Sequence, residues 1–128
     1  MVKVSVTKQS NYPVSTPKIK KRLSSFLEKQ GIVSDAEVSV AIVGEAKMMT
    51  LVNRYLKDKK LHNVLSFTPT EAKGFVYPPD GLIHLGEIIV CYPVALKEAR
   101  DENDLIDDKV CELIEHSALH LLGIHHAE

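Results

Sequence analysis

EVSVAIV at residues 37–43, followed by Gly44, is the stretch that decides the fold. Apolar and polar side chains alternate along it, which predicts a strand with one face buried, and the glycine predicts its end. Upstream, Val2, Val4 and Val6 alternate with polar residues and predict a second strand of the same kind. The first third of the chain therefore holds two half-buried strands.

A segment with helical spacing follows each of these two strands. The first has Thr16 as its predicted N-cap and Pro17 at the first helical position, and it runs to Gly31. The second covers residues 46–56, where apolar side chains recur every three or four positions. Two strand–helix pairs are the result.

The second half of the chain predicts two more strands and a further helix. NVLSF at 63–67 and GEIIVC at 86–91 are short, apolar and strand-like. Prolines and glycines make residues 68–83 a long loop, of the kind often used as a lid or a binding edge. Pro93 is predicted to start a helix that runs through Arg100.

The last predicted helix is capped by Asp104 or Asp107 and runs to Gly123. It should lie against the sheet, because it carries an apolar stripe that needs cover. The stripe consists of Val110, Leu113, Ile114, Leu121 and Leu122. These elements predict an α+β fold with a single mixed β-sheet of about four strands packed with helices. We expect residues 1–128 to form one domain.

The composition excludes several classes of protein. Apolar residues make up 45% and charged residues 26% of the 128, close to the averages for soluble domains, so neither disorder nor a membrane partner is predicted. With no apolar block typical of a secretory signal near residue 1, we expect a cytoplasmic protein. The net charge of −1 gives no global basic field, so any nucleic-acid contact must come from local patches. Cys91 and Cys111 are predicted to be buried free thiols.

Three histidines near the C-terminal end have the spacing of a metal site. His116 and His120 are four apart on the last predicted helix, which places both imidazoles on one face within reach of one ion. His126 can join them only if the chain turns back after His120, and Gly123 lies where a left-handed residue would close the helix. The string HSALHLLGIHH therefore predicts one divalent ion per chain, zinc by preference. His125 is an alternative third ligand.

The predicted site is catalytic rather than structural. Three imidazoles leave a fourth tetrahedral position open, where a bound water becomes a hydroxide nucleophile, so hydrolysis is the predicted reaction class. The spacing equals that of the metzincin proteases, in which a glutamate follows the first histidine as general base. Ser117 holds that position here and cannot accept and return the proton in the same manner. A metal-dependent peptidase or amidase is thus an alternative that Ser117 disfavours.

Three segments of the chain together resemble one known family. HSALHLLGIHH is similar to the H-G-x-L-H-L-x-G-Y-D-H motif of the YbeY family of bacterial endoribonucleases, NVLSF resembles its T-D/N-V-L-S-F-P segment, and LGEIIVC at 85–91 resembles its L-G-D-I-x-I-C strand. The resemblance covers the chain from about residue 51 to the end. It implies an α+β fold and zinc held by His116, His120 and His126. It also implies cleavage of single-stranded RNA in ribosomal RNA maturation and ribosome quality control, with the ribosome as a partner.

Three departures of the sequence from the family pattern bear on the predicted site. The family's Y-R-x-K-D-x-P-T segment falls on residues 55–62, so that its arginine is Leu56 here. Its glycine after the first histidine is Ser117, and its aspartate before the third is His125. If catalysis has lapsed with Leu56, the chain would be a non-catalytic, ribosome-associated metal-binding protein, which is a further alternative.

The substrate side of the site is predicted from nearby cations, because phosphodiester cleavage needs positive charge at the phosphate. Arg54, Lys57, Lys59 and Lys60 precede the NVLSF strand and are the predicted RNA-binding residues, against the plainer interpretation of a solvated turn. The basic residues within 18–22 fit either an RNA-facing stripe or a solubilising helix face.

Glu87 and Ser66 are the predicted catalytic residues. Glu87 opens the fourth strand and would orient a ligand histidine or assist the attacking water, with Glu115 as the alternative. Ser66 lies in the matched NVLSF segment and would contact the substrate, against the plainer interpretation of a structural hydroxyl.

Overall fold

The computed structural model describes residues 1–71 and 81–123. Within them lie the strands β1 (Val2–Lys8), β2 (Ala36–Val43), β3 (Val64–Phe67) and β4 (Ile83–Cys91). The helices are α1 (Thr16–Lys29), α2 (Glu45–Tyr55), α3 (Tyr92–Asp101) and α4 (Ile106–Leu121). Each strand and helix predicted from the sequence is present, in the predicted order.

The four described strands form one mixed sheet in the order β1-β2-β4-β3. β1, β2 and β4 are parallel, and β3 runs antiparallel to β4 at one edge. The predicted α+β fold with a single mixed sheet is confirmed. β4 begins at Ile83 rather than at Gly86, because His84 already pairs with Glu37 of β2. The predicted loop therefore ends earlier, and its residues 72–80 lie outside the described part of the chain.

Gly86 allows β3, β4 and α4 to approach one another. Its φ of +136° lies in the region that favours glycine, and the pairing of β4 with β2 shifts register beside it. A Cβ at Gly86 would collide with the carbonyl oxygen of Phe67 and would lie 2.9 Å from Cδ2 of Leu121. The end of β3 is therefore packed close to the end of α4.

The two faces of the sheet are covered by different helices. Val38 and Ile88 point to the face on which α1 and α4 pack, whereas Phe67 and Ile89 point to the face covered by α2. Burying each such side chain contributes about 1.5–3 kcal/mol. The predicted stripe of α4 is buried at four of its positions: Val110, Leu113, Ile114 and Leu121.

The N-caps of α1 and α4 differ from the predicted ones. The N-cap of α1 is Ser15 rather than Thr16, and its hydroxyl accepts a hydrogen bond from the Lys18 N–H at 3.3 Å. The N–H of Ser15 donates to Oδ1 of Asp107 at 3.0 Å. The N-cap of α4 is Leu105, which makes no side-chain cap bond. Asp107 thus joins two helices and caps neither.

Ion pairs continue this contact along both helices. Nζ of Lys18 lies 2.7 Å from Oδ1 of Asp108, and the guanidinium of Arg22 lies 2.9 Å from Oε1 of Glu115. Two of the basic residues within 18–22 therefore hold α4 in place, which favours a structural use of at least part of that stripe.

Lys109 is a buried lysine that ties α4 to α3. Only 6% of it is exposed, and Nζ donates to the two carboxylate oxygens of Glu102 at 2.9 and 3.1 Å. Glu98 and Glu112 lie 3.9 and 3.8 Å from the same nitrogen. Glu98 also accepts a hydrogen bond from Nδ2 of Asn63 at 3.0 Å. One polar network thus runs from the start of β3 through α3 to α4.

Cys91 and Cys111 are buried free thiols, as predicted, and burial raises the pKa of both. Both lie in apolar cores, Cys91 under α2 and Cys111 under α1. Among the helices in residues 1–71 and 81–123, none has both the length and the apolar character needed to span a bilayer.

Candidate active site

His116 and His120 lie one turn apart on α4, near its C-terminal end. His116 is exposed and His120 is half-buried. The helix ends at Leu121, and Gly123 has a φ of +76° with its N–H donating to the His120 carbonyl at 3.0 Å. A helix end with a left-handed glycine is what the sequence predicts here. His125 and His126 lie outside the described residues, so their predicted ligand roles remain predictions.

Ser66 holds the ring of His120. The residue lies in β3 opposite Ile88, on the sheet face that α4 covers, and its Oγ is 2.8 Å from Nδ1 of His120. When Nδ1 carries the proton and donates it to Oγ, Nε2 keeps the lone pair that a metal would bind. Ser66 was predicted as a catalytic residue that contacts substrate; the structure places it as a partner of the histidine.

Glu71 is a site residue that the sequence analysis missed. Its Oε1 lies 3.5 Å from Nε2 of His120 and accepts hydrogen bonds from the N–H and the Oγ1 of Thr68, at 2.8 and 3.0 Å. The backbone N–H of Thr68 is the main cause that holds the pKa of Glu71 below its usual value. The signal that could have found it is the Thr-x-x-Glu spacing, which matches a capping box.

One cavity of about 400 Å³ joins these groups to the end of α2. Arg54, Ser66, Glu71 and His120 all line it. The guanidinium carbon of Arg54 lies 5.3 Å from the centre of the Tyr55 ring, which also lines the cavity. The remaining lining residues are Leu56, Phe67 and Thr70. The cavity therefore places a cation and a carboxylate beside an imidazole.

The other predicted RNA-binding residues lie outside this cavity. Lys57, Lys59 and Lys60 are exposed on the turn after α2, and Nζ of Lys59 donates to the Asn53 carbonyl at 3.0 Å. Only Arg54 of the four predicted cations lines the cavity of His120. The lysines could reach a longer substrate but not one confined to this cavity.

Glu87 lies on the opposite face of the sheet from Ser66. It pairs with Phe67 of β3 and Ser39 of β2, and it lines a different cavity under α2. Glu87 is predicted to orient a ligand histidine. In the described part of the chain it is Ser66 that contacts a predicted ligand histidine, at Nδ1 of His120. The alternative carboxylate, Glu115, is instead bound by Arg22 of α1.

The donor chemistry around His120 fits zinc. With Ser66 on Nδ1, Nε2 is the nitrogen that would bind the metal, next to Oε1 of Glu71 at 3.5 Å, and a second, exposed imidazole follows one turn away at His116. Residues 1–71 and 81–123 contain no group of three histidine, cysteine or acidic side chains that could hold a metal ion. A set of three such ligands around His120 would thus need at least one residue from outside these two ranges.

Fold and site together define a small α+β protein with histidine, serine, arginine and a carboxylate around one cavity. The family model described as endoribonuclease YbeY matches residues 5–128. The chain belongs to the YbeY family.

Individual relatives agree with this assignment. The chain is 35% identical to endoribonuclease YbeY of Dehalococcoides mccartyi over 123 residues, covering 90% of this chain and 72% of the relative. It is 29% identical to endoribonuclease YbeY of Acinetobacter baumannii over 130 residues, covering 98% of this chain and 82% of the relative. Its fold is similar to the solution structure of TM1509 from Thermotoga maritima, with a TM-score of 0.58 and 23% identity over 97% of this chain and 75% of that one.

Proposed function

We propose that this chain is a zinc-dependent endoribonuclease that cleaves single-stranded RNA in ribosomal RNA maturation and ribosome quality control. One zinc ion would be held by His116, His120 and His126. The observation that carries the proposal is the contact of Ser66 with Nδ1 of His120 in a cavity that also holds Arg54. The curated relatives, named endoribonuclease YbeY, supply the reaction class.

Each residue of the cavity has a role in this reaction. Zinc, when bound, acts as a Lewis acid and lowers the pKa of its bound water. Ser66 keeps the ring of His120 in one orientation, and Arg54 binds the scissile phosphate and offsets its developing charge. These assignments need no contribution from Lys57, Lys59 or Lys60 beyond binding the rest of the RNA backbone.

Glu71 supplies the carboxylate that the metzincin spacing lacks. Ser117 follows the first histidine but is only 6% exposed, so that it cannot reach a substrate. Glu71 lines the cavity, and the hydrogen bonds from Thr68 favour its ionised form. We assign it as the group that accepts a proton from the attacking water, at the oxygen not used by Thr68.

The proposed setting of this activity is the cytoplasm, where the ribosome and its RNA precursors are the partners. The net charge of −1 means that a long RNA would be held by local contacts around the cavity rather than by a general field.

The experiment is metal analysis of the purified protein together with cleavage of single-stranded ribosomal RNA. We expect zinc near one equivalent and cleavage by the wild type, and loss of both in His120→Ala. His62→Ala is the matched control, because His62 pairs with Asp58 at 2.9 Å on the exposed turn and does not line the cavity. Equal zinc content in His120→Ala and wild type, or cleavage that survives in that variant, contradicts the proposal.

Leu56 favours a second candidate function, a ribosome-associated binding protein without catalysis. Leu56 lines the cavity of His120 at the position where the resemblance places an arginine. Arg54 lines the same cavity and supplies a cation, which is why we favour the nuclease. Co-sedimentation with ribosomes by a zinc-loaded protein that leaves RNA intact would select the second candidate.

A further inference from the structure

A second cavity of about 270 Å³ lies on the α2 face of the sheet. Its wall combines Glu87 and Ile89 of β4 with Lys47 and Leu51 of α2. Three of its lining residues, Arg54, Tyr55 and Phe67, also line the cavity of His120. The two cavities therefore meet at the end of α2 and the edge strand β3, so that one extended ligand can occupy both.

The shared wall has the properties of a platform for a flat ring. The rings of Tyr55 and Phe67 are 4.8 Å apart, tilted by 49°, and the guanidinium of Arg54 lies over Tyr55. Ala41, Val43 and Ile89 make the floor apolar. Proteins bind unpaired nucleobases by stacking them on aromatic side chains and on arginine planes in this way.

Glu87 contributes a carboxyl group to the wall of this largely apolar cavity. Its carboxyl group is half-buried, and burial raises its pKa. Lys47 and Arg54 line the same cavity, yet neither forms an ion pair with the Glu87 carboxyl group, which has no hydrogen bond to any other described side chain. A partly desolvated carboxylate is stabilised by donors from a ligand that reaches it.

Guanine is the base that matches a carboxylate. Its N1–H and N2–H groups are adjacent and parallel, so both oxygens of one carboxylate can accept from them. Adenine and cytosine present one amino group beside a ring nitrogen that repels the second oxygen, and uracil presents one N–H between two carbonyl oxygens. A carboxylate at the end of a stacking cavity therefore selects guanine.

We infer that the cavity lined by Tyr55, Phe67 and Glu87 is a specificity subsite that takes an unpaired guanine of single-stranded RNA, next to the phosphate bound by Arg54. The inference rests on the proposed function in that the ligand is RNA. Guanine stacks against the aromatic wall, and its Watson–Crick edge meets Glu87. The adjoining phosphate then lies at Arg54, on the path to His120.

The test measures binding and needs no cleavage. Zinc is removed with a chelator, and fluorescence anisotropy follows labelled single-stranded RNAs of about six nucleotides, uridine throughout or with one central guanosine, adenosine or cytidine. We expect the guanosine RNA to bind about tenfold more tightly than the other three. Glu87→Gln, which keeps the shape, should remove that preference.

Glu28→Gln is the matched control, because it makes the same charge change on an exposed part of α1. It should keep the guanosine preference. Equal affinities for the four RNAs in the wild type, or a preference that survives in Glu87→Gln, would overturn the subsite. Cleavage by the zinc-loaded wild type without any guanosine preference defeats only this inference, whereas a preference without cleavage supports it and defeats the nuclease.

Discussion

The hydroxyl of Ser66 lies 2.8 Å from Nδ1 of His120, and it connects the edge strand β3 to the last turn of α4. The contact is made possible by Gly86, since any larger residue there would push β3 away from Leu121. It fixes which nitrogen of His120 points into the cavity. The orientation of a proposed metal ligand is thus set by a residue 54 positions earlier in the chain.

Ser66→Ala should weaken zinc binding without unfolding the protein. Removing the hydrogen bond that orients a ligand imidazole typically lowers metal affinity about 10–100-fold. Competition with a chromogenic chelator measures the zinc affinity, and circular dichroism checks the fold. Ser25→Ala, on the exposed side of α1, serves as the control and should bind zinc as the wild type does. An unchanged zinc affinity in Ser66→Ala would show that the hydroxyl does not orient the ligand.

Arg54→Ala should reduce RNA binding more than the loss of any lysine on the following turn. Arg54 lines both cavities, whereas Lys57 and Lys60 are exposed and line neither. We expect the slope of log affinity against log salt to fall by about one for Arg54→Ala, with smaller changes for the lysine variants. The measurement is RNA binding by zinc-free protein across a salt series. Larger losses in Lys57→Ala or Lys60→Ala would move the substrate path onto the turn.

The fold was largely predictable from the sequence because its elements have strong local patterns. The alternation in residues 37–43 and the helical spacing of α1 and α4 correspond to the observed burial of one face. The first cap was misplaced by one residue, because Ser15 and Thr16 are both good N-caps and only the Ser15 contact with Asp107 distinguishes them. Long-range contacts of this kind leave no local signal.

The site was less predictable for the same reason. Alternation along β4 predicts that Glu87 and Ile88 point to different faces of the sheet, but it does not predict which face α4 covers. In the structure α4 covers the face of Ile88. Glu71 reaches His120 through a turn after β3 that has no regular period. The pair His116 and His120 was visible because helical spacing alone places them together.

Lys109→Met should destabilise the protein by about 2 kcal/mol, because it removes the charged hydrogen bonds of the buried Nζ, while the carboxylates of Glu98 and Glu102 stay partly exposed to water. Urea unfolding gives the free energy. Lys97→Met is the matched control, since Lys97 pairs with Asp101 in an exposed position and should contribute less than about 1 kcal/mol. Similar losses in the two variants would mean that the buried network adds nothing beyond a surface pair.

Lys109 should also make the stability of the protein depend on pH. The hydrogen bond to Glu102 is the main cause that raises the pKa of Lys109 above its usual value of 10.5. A pKa that is raised in the folded state adds stability to the protein. This contribution is complete at pH values below the pKa of the group in the unfolded state, and it is lost as the pH rises through the pKa of the group in the folded state. Wild-type stability should therefore fall above pH 10.5 more steeply than that of Lys109→Met. Parallel curves for the two proteins would exclude this contribution.

Gly86→Ala should destabilise the protein and separate Ser66 of β3 from His120 of α4. The new Cβ would collide with the Phe67 carbonyl, in addition to the strain of a φ of +136°, so we expect a loss of about 3 kcal/mol or more. Gly31→Ala isolates the strain, because Gly31 has a φ of +98° with no atom within 4 Å of an added Cβ, and it should cost about 1 kcal/mol. Urea unfolding compares the stabilities of the two variants.

Since the collision pushes β3 away from α4, any folded Gly86→Ala protein should also bind zinc more weakly, as Ser66→Ala does. A Gly86→Ala protein with the stability of Gly31→Ala and wild-type zinc affinity would show that β3 can shift without moving Ser66 from His120.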